Sequence, residues 1–186
     1  MDFSLGSIFL IALVITFAWF IWTYNRFIKN KNAVRESWSG IDVQLKRRHN
    51  LIPNLVETVK GYAGHEKQTL DSLTELRAGA RDSGDVAKVA QHENLLTKAL
   101  ANVFAVAENY PDLKANTNFL DLQQQIAQTE DQIQMARRYY NGTVRDWNIL
   151  VESFPSNLIA SIFKFRIAQF FELEIAAERA VPEVAF

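Results

Sequence analysis

The chain has 186 residues, a length suited to one domain of ordinary size. Apolar residues make up 48% and the formal net charge is −1, so a packed core is affordable and the basic excess of a nucleic-acid protein is missing. There is no Cys, which excludes disulfides, Cys-ligated zinc, a catalytic thiol and a lipid-modified cysteine.

The first element is "FSLGSIFLIALVITFAWFIWTYN", uncharged between Asp2 and Arg26. Its core, residues 5–24, is close to the roughly 20 residues a helix needs to cross a bilayer. Trp19, Trp22 and Tyr24 stand at its C-terminal end, where an aromatic belt belongs. A cleaved signal peptide fits poorly, because no basic region precedes the apolar run and no small-residue cleavage site follows it. Arg26, Lys29, Lys31 and Arg35 follow the span. The positive-inside rule therefore predicts an outside N-terminus and a cytoplasmic domain. The expected division is a membrane segment, residues 1–25, and a helical domain, residues 26–186.

From the end of the span onward, Tyr24, Phe27, Lys31, Val34, Trp38, Ile41, Leu45, Arg48, Ile52, Leu55, Val59 and Tyr62 recur at three- and four-residue spacings, with Lys31 and Arg48 as two basic interruptions. This heptad-like stripe predicts that the membrane helix continues as a long stem. Pro53 predicts a kink, or a restart of the helix with Asn50 as its cap. Gly61 and Gly64 weaken the helix, but the stripe returns at Leu70, Leu73, Leu76 and Ala80, so the first clear turn is expected at "RDSGD", residues 81–85. A second helix follows over residues 85–109, with Val89, Leu95, Leu96, Leu100, Val103 and Phe104 on its apolar face. "YPDLKAN" breaks the chain, and Asn116 or Thr117 can cap a third helix. That helix carries the stripe Phe119, Leu122, Ile126, Thr129, Ile133, Ala136, Tyr140, Val144, Trp147 and Val151 and measures about 54 Å. "SFPSN" ends it. The reading is all-α: one N-terminal transmembrane helix continuing into an elongated antiparallel helical bundle.

Reactive constellations are few. "HEKQT" at His65 and "HENLL" at His92 begin like zinc-protease motifs but lack the second His, so these histidines and His49 are expected to be solvated helix residues. The carboxylates read as surface partners of nearby cations. Arg47 and Arg48 facing Glu130, and Arg137 and Arg138 facing Glu108, are plausible interhelix pairs that would form a polar layer fixing bundle register or a partner-recognition patch. "LIASIFKFRIAQFF", residues 158–171, is too short to cross a bilayer. It reads as a short helix closing the bundle, or as an apolar contact through Phe163, Phe165, Phe170 and Phe171.

Several ordered segments together resemble the LemA family of bacterial membrane proteins: "YN" at residues 24–25, "RRHNLIPNLVETVKGYAGHE" at 47–66, "ENYPDLKAN" at 108–116, "RRYYN" at 137–141, "FP" at 154–155, "FFE" at 170–172 and the terminal "VPEVAF". The similarity covers almost the whole chain. It implies an elongated helical bundle behind one transmembrane helix of the bacterial inner membrane, with a periplasmic domain as the alternative to the cytoplasmic one, and it does not imply a catalytic reaction. The candidate polar or partner-contact residues in these segments are Arg47, Arg48, Asn50, Asn54, Glu66, Glu108, Tyr110, Glu130, Arg137, Arg138, Tyr140 and Asn141. The expected function is a membrane-anchored scaffold, self-assembling or bound to another membrane protein, the alternative being an adaptor or regulator of a membrane enzyme such as a protease. The lipid bilayer is the expected partner of residues 5–24. No cofactor, metal, nucleic acid or small-molecule substrate is expected.

Overall fold

The computed structural model describes residues 5–64, 66–79 and 85–172. Among them there are six helices and no strand: α1 Leu5–Lys60, α2 Lys67–Gly79, α3 Val86–Ala107, α4 Pro111–Lys114, α5 Thr117–Glu152 and α6 Ser156–Ile162. Residues 173–186, including "VPEVAF", lie outside the described residues, as does His65.

α1 is one helix of 56 residues, so span and stem are continuous as the stripe predicts. The expected restart at Asn50 does not occur. Pro53 sits inside the helix and Asn50 is exposed mid-helix. Proline at 53 removes the N–H that would bond the carbonyl four residues back, at His49. That carbonyl instead accepts from Arg77 Nε of α2 at 3.0 Å, so no buried acceptor is orphaned. The first break comes earlier than expected. α1 ends at Lys60, where Gly61 and Gly64 each cost a helix about 1 kcal/mol relative to Ala. Tyr62 and Ala63 N–H groups turn back onto Val59 O at 3.0 and 2.8 Å. Residues 81–84 of the turn expected at 81–85 lie outside the described residues; Asp85 caps α3 by accepting from Ala87 N at 3.0 Å. Asn116 caps α5 in the same way, accepting from Phe119 N at 3.1 Å. α5 keeps the expected 36 residues.

The packing groups into two units. The first comprises residues 1–40 and 138–168. Its core is Phe27, Trp147, Leu150, Ile159 and Ala160, with Trp19, Phe20, Val34, Phe165 and Ala168 partly buried around them. Every residue from 5 to 18 is exposed, as a span that meets lipid should be. The second unit comprises residues 41–137 and 169–186. Its core includes Ile52, Leu55 and Val59 of α1, Leu70 and Leu73 of α2, Leu96, Leu100 and Val103 of α3, and Phe119 and Ile126 of α5. Leu95, expected in this core, is exposed because Leu96, Leu100 and Val103 already fill the inward face of α3.

Candidate functional site

Two constellations stand out, one in each unit. The first is a buried ionic layer in the second unit. Arg48 lies on the apolar stripe of α1 and is 1% exposed. Glu93 lies on the stripe of α3, between Val89 and Leu96, and is 2% exposed. Neither can keep its charge in an apolar interior without a partner, and each is the other's. Arg48 Nη2 donates to Glu93 Oε2. Arg48 Nη1 donates to Glu130 Oε2 at 2.5 Å and to Thr97 Oγ1 at 2.9 Å. His49 Nε2 is 2.9 Å from the other Glu93 oxygen. Arg77 Nε donates to the main-chain carbonyl of His49 beside this layer. Burial alone pushes the Glu93 carboxyl up. The hydrogen bonds and positive charge supplied by His49 and Arg48 outweigh this and hold it below its ordinary value.

The Arg48–Glu130 pair matches the sequence expectation; Glu93 was not among the candidates. The histidines are corrected. His49 is buried against Glu93, and His92 is half-buried with Nε2 against Leu76 O, so neither is a solvated helix residue. The expected surface placement of carboxylates holds for Asp42 with Lys46 at 2.6 Å but not for Glu93. Arg47 is exposed and donates to Gln132 Oε1 at 3.3 Å rather than to Glu130. The Arg137–Glu108 pairing does not form. Phe104 packs on Phe119 with ring centroids 6.1 Å apart, which sets the end of α3 at the start of α5, far along the helix from Arg137. Arg138, Glu108, Asn50 and Asn54 are exposed. No group of three or more His, Asp or Glu among the described residues has the arrangement of a metal site.

The two loop motifs of the second unit meet at their polar residues. Tyr110 Oη donates to Glu66 Oε1 at 3.3 Å, and Asn116 Nδ2 donates to Tyr62 Oη at 2.9 Å. Burial first, then the charge and hydrogen bond of Glu66, push the Tyr110 hydroxyl up.

The second constellation is the aromatic cluster of the first unit. Trp147 is buried edge-on to Phe27, centroids 5.7 Å apart, and to Phe165, 5.5 Å apart. Phe165 stacks on Phe27 at 4.8 Å. Trp38 packs on Tyr140 at 5.4 Å, and burial pushes the Tyr140 hydroxyl up. Beside them Ser37 Oγ and Thr143 Oγ1 are 2.8 Å apart. Asn141 is half-buried on the next position of α5.

Of the four phenylalanines expected as one contact patch, Phe165 belongs to this core and Phe171 is wholly buried in the second unit; Phe163 and Phe170 remain exposed. Residues 163–172, which follow α6, are not helical, and α5 pins this segment down. Trp147 Nε1 donates to Arg166 O at 2.8 Å, while Asn148 exchanges two hydrogen bonds with the Ala168 backbone at 2.8 and 3.0 Å. α6 closes with Lys164 in the left-handed region, φ 56°. Phe165 N–H bonds Ala160 O and Lys164 N–H bonds Ser161 O, the Schellman pattern in which glycine is the usual residue at the Lys164 position. Lys164→Gly is therefore expected to raise stability by about 1 kcal/mol, read by thermal melting. A lower melting temperature would show that the Lys164 side chain contributes more than its backbone costs.

A family model, the LemA family, matches residues 37–186. The chain is 27% identical over 178 residues to Protein LemA of Metamycoplasma hominis, an alignment covering 89% of this chain and 80% of that protein. It is 22% identical over 204 residues to magnetosome protein MamQ 2 of Paramagnetospirillum magneticum, covering 96% of this chain and 75% of that one. It is 19% identical over 201 residues to magnetosome protein MamQ of Magnetospirillum gryphiswaldense, covering 94% and 74%. The family match runs through the buried ionic layer and through the α5–α6 half of the aromatic cluster, and with one apolar helix ahead of it this chain belongs to the LemA family of membrane-associated proteins.

Proposed function

We propose that the protein is a non-catalytic scaffold of the bacterial inner membrane, with its N-terminus outside and its helical domain in the cytoplasm, and that it assembles with further copies of itself. The observation that carries this reading is α1. One unbroken helix exposes an uncharged apolar surface over residues 5–18 and then turns the same stripe into the cores of both units. Such a helix couples a bilayer to a folded body without a linker. The basic residues Arg26, Lys29, Lys31 and Arg35 after the span support the orientation. The relatives compared above are named as LemA and magnetosome proteins and none by a reaction, which supports the non-catalytic reading.

Two measurements test it. A reporter active only in the cytoplasm, fused after Phe186, is expected to be active; activity from a periplasmic reporter alone would reverse the orientation. Native mass determination after gentle detergent extraction is expected to give a multiple of the 21.3 kDa chain. A single-chain mass would remove self-assembly from the proposal.

A further inference from the structure

The corner between α5 and α6 carries large apolar side chains on its outside. Phe154 is 80% and Ile162 65% exposed, and Ile149 and Leu158 are more than half exposed. Contacts within the first unit fix where this corner lies along α1. The Phe163 ring sits 6.1 Å from Phe20 and 4.7 Å from Tyr24, centroid to centroid. Leu150, Ile159 and Ala160 share a core with Trp19 and Phe20. Phe154 and Pro155 face Trp19, Trp22 and Arg26 across a cleft of about 320 Å³.

Tyr24 closes the apolar segment, and Trp19 lies five residues, about 8 Å, further in along the helix. A corner packed on Trp19–Tyr24 is at the depth where a spanning helix passes from hydrocarbon to headgroups. At that depth its outer side chains meet acyl chains, not water.

We propose that the α5–α6 corner is a second membrane contact, seated in the interfacial layer beside α1, with an anionic phospholipid leaflet as its partner. The proposal rests on residues 5–24 being a membrane span. Charge agrees with it. Between Trp147 and Ala168 there are two cations, Lys164 and Arg166, and one carboxylate, Glu152. Arg26 adds a third cation at the mouth of the cleft, 5.7 Å over the Trp22 ring. Exposed apolar side chains flanked by basic residues are the composition of an interfacial anchor. A chain held by the span alone would be free to tilt about it; the corner gives the protein a second point of attachment to the same leaflet.

The absence of Cys permits a direct depth measurement on the full-length protein. Leu158→Cys and Ile162→Cys carry a bimane label in vesicles of phosphatidylglycerol and acyl-brominated phosphatidylcholine. Leu13→Cys marks the span and Gln128→Cys, exposed on α5, marks water. All four positions are exposed, so the label displaces no core. Quenching at 158 and 162 is expected to approach that at 13 and to exceed that at 128 several-fold. Quenching at 13 with none at 158 and 162 would overturn the corner contact and leave the span standing. No quenching at any position would overturn the span reading itself. Labels at 158 and 162 shielded from both brominated lipid and an aqueous quencher would place a protein there instead, and would also overturn the proposal.

Discussion

Replacing Arg48 by Met is expected to destabilise the protein by about 3–5 kcal/mol, because it leaves the Glu93 carboxylate buried without its counter-charge. Glu93→Leu takes one of the two carboxylates from Arg48 and is expected to cost less, because Glu130 still pairs with the guanidinium at 2.5 Å. The double variant Arg48→Met/Glu93→Leu is expected to recover much of the loss, since it removes both buried charges together. A double-mutant cycle followed by thermal melting reads the coupling, and additive single effects would show that the two groups do not act as a pair. The layer also sets a pH dependence. The Glu93 carboxyl titrates below its ordinary value of 4.5 in the folded protein, so its contribution is complete at neutral pH. It fades as pH falls below that value toward the folded one, where the carboxylate takes up its proton. Glu93→Gln is expected to flatten that part of the stability profile. An unchanged acid limb would assign the acid sensitivity to other carboxylates.

Trp147→Ala is expected to cost about 3–5 kcal/mol, the range for emptying a buried tryptophan site. Two aromatic neighbours, Phe27 and Phe165, lose their partner, and the carbonyl of Arg166 loses its donor. Trp147→Phe retains much of the ring volume and is expected to cost about 1 kcal/mol for the missing hydrogen bond. Trp38→Ala is expected to cost less than Trp147→Ala. Trp38 is only half-buried, on the flank of Tyr140. Equal losses at the two tryptophans would mean that the flank of Tyr140 is as closely packed as the centre of the cluster.

The stripes of α1, α3 and α5 were legible because a helix repeats its buried face every three to four residues. Trp38 and Trp147 share that period and look alike in sequence; their different burial depends on what faces them, which periodicity does not contain. Glu93 was hidden by its neighbourhood. In "HENLL" it resembles half of a metal motif, and its partner is 45 residues upstream. The signal that could have found it is its spacing: Val89, Glu93, Leu96 and Leu100 form one stripe, and Arg48 interrupts the stripe of α1 with the opposite charge. Two unlike charges on two buried faces imply a pair. The end of α1 was missed for a related reason. Leu70 and Leu73 resume the apolar rhythm after Gly61 and Gly64, so the rhythm passes over the break. The segment after Ile162 was legible as apolar but not as extended. Its shape comes from Trp147 and Asn148, which hold its backbone from another helix.

Pro53 gives the domain an address. Along an unbroken helix every interior carbonyl is already occupied, and a neighbouring side chain finds no main-chain acceptor to choose between positions. One proline vacates one carbonyl, at His49, and Arg77 answers it. Sliding α2 by a single turn in either direction would keep greasy contact with α1 but would leave the guanidinium facing a closed backbone and the His49 oxygen dry and unanswered. A residue usually regarded as a defect in a helix thus encodes which of several similar dockings is accepted.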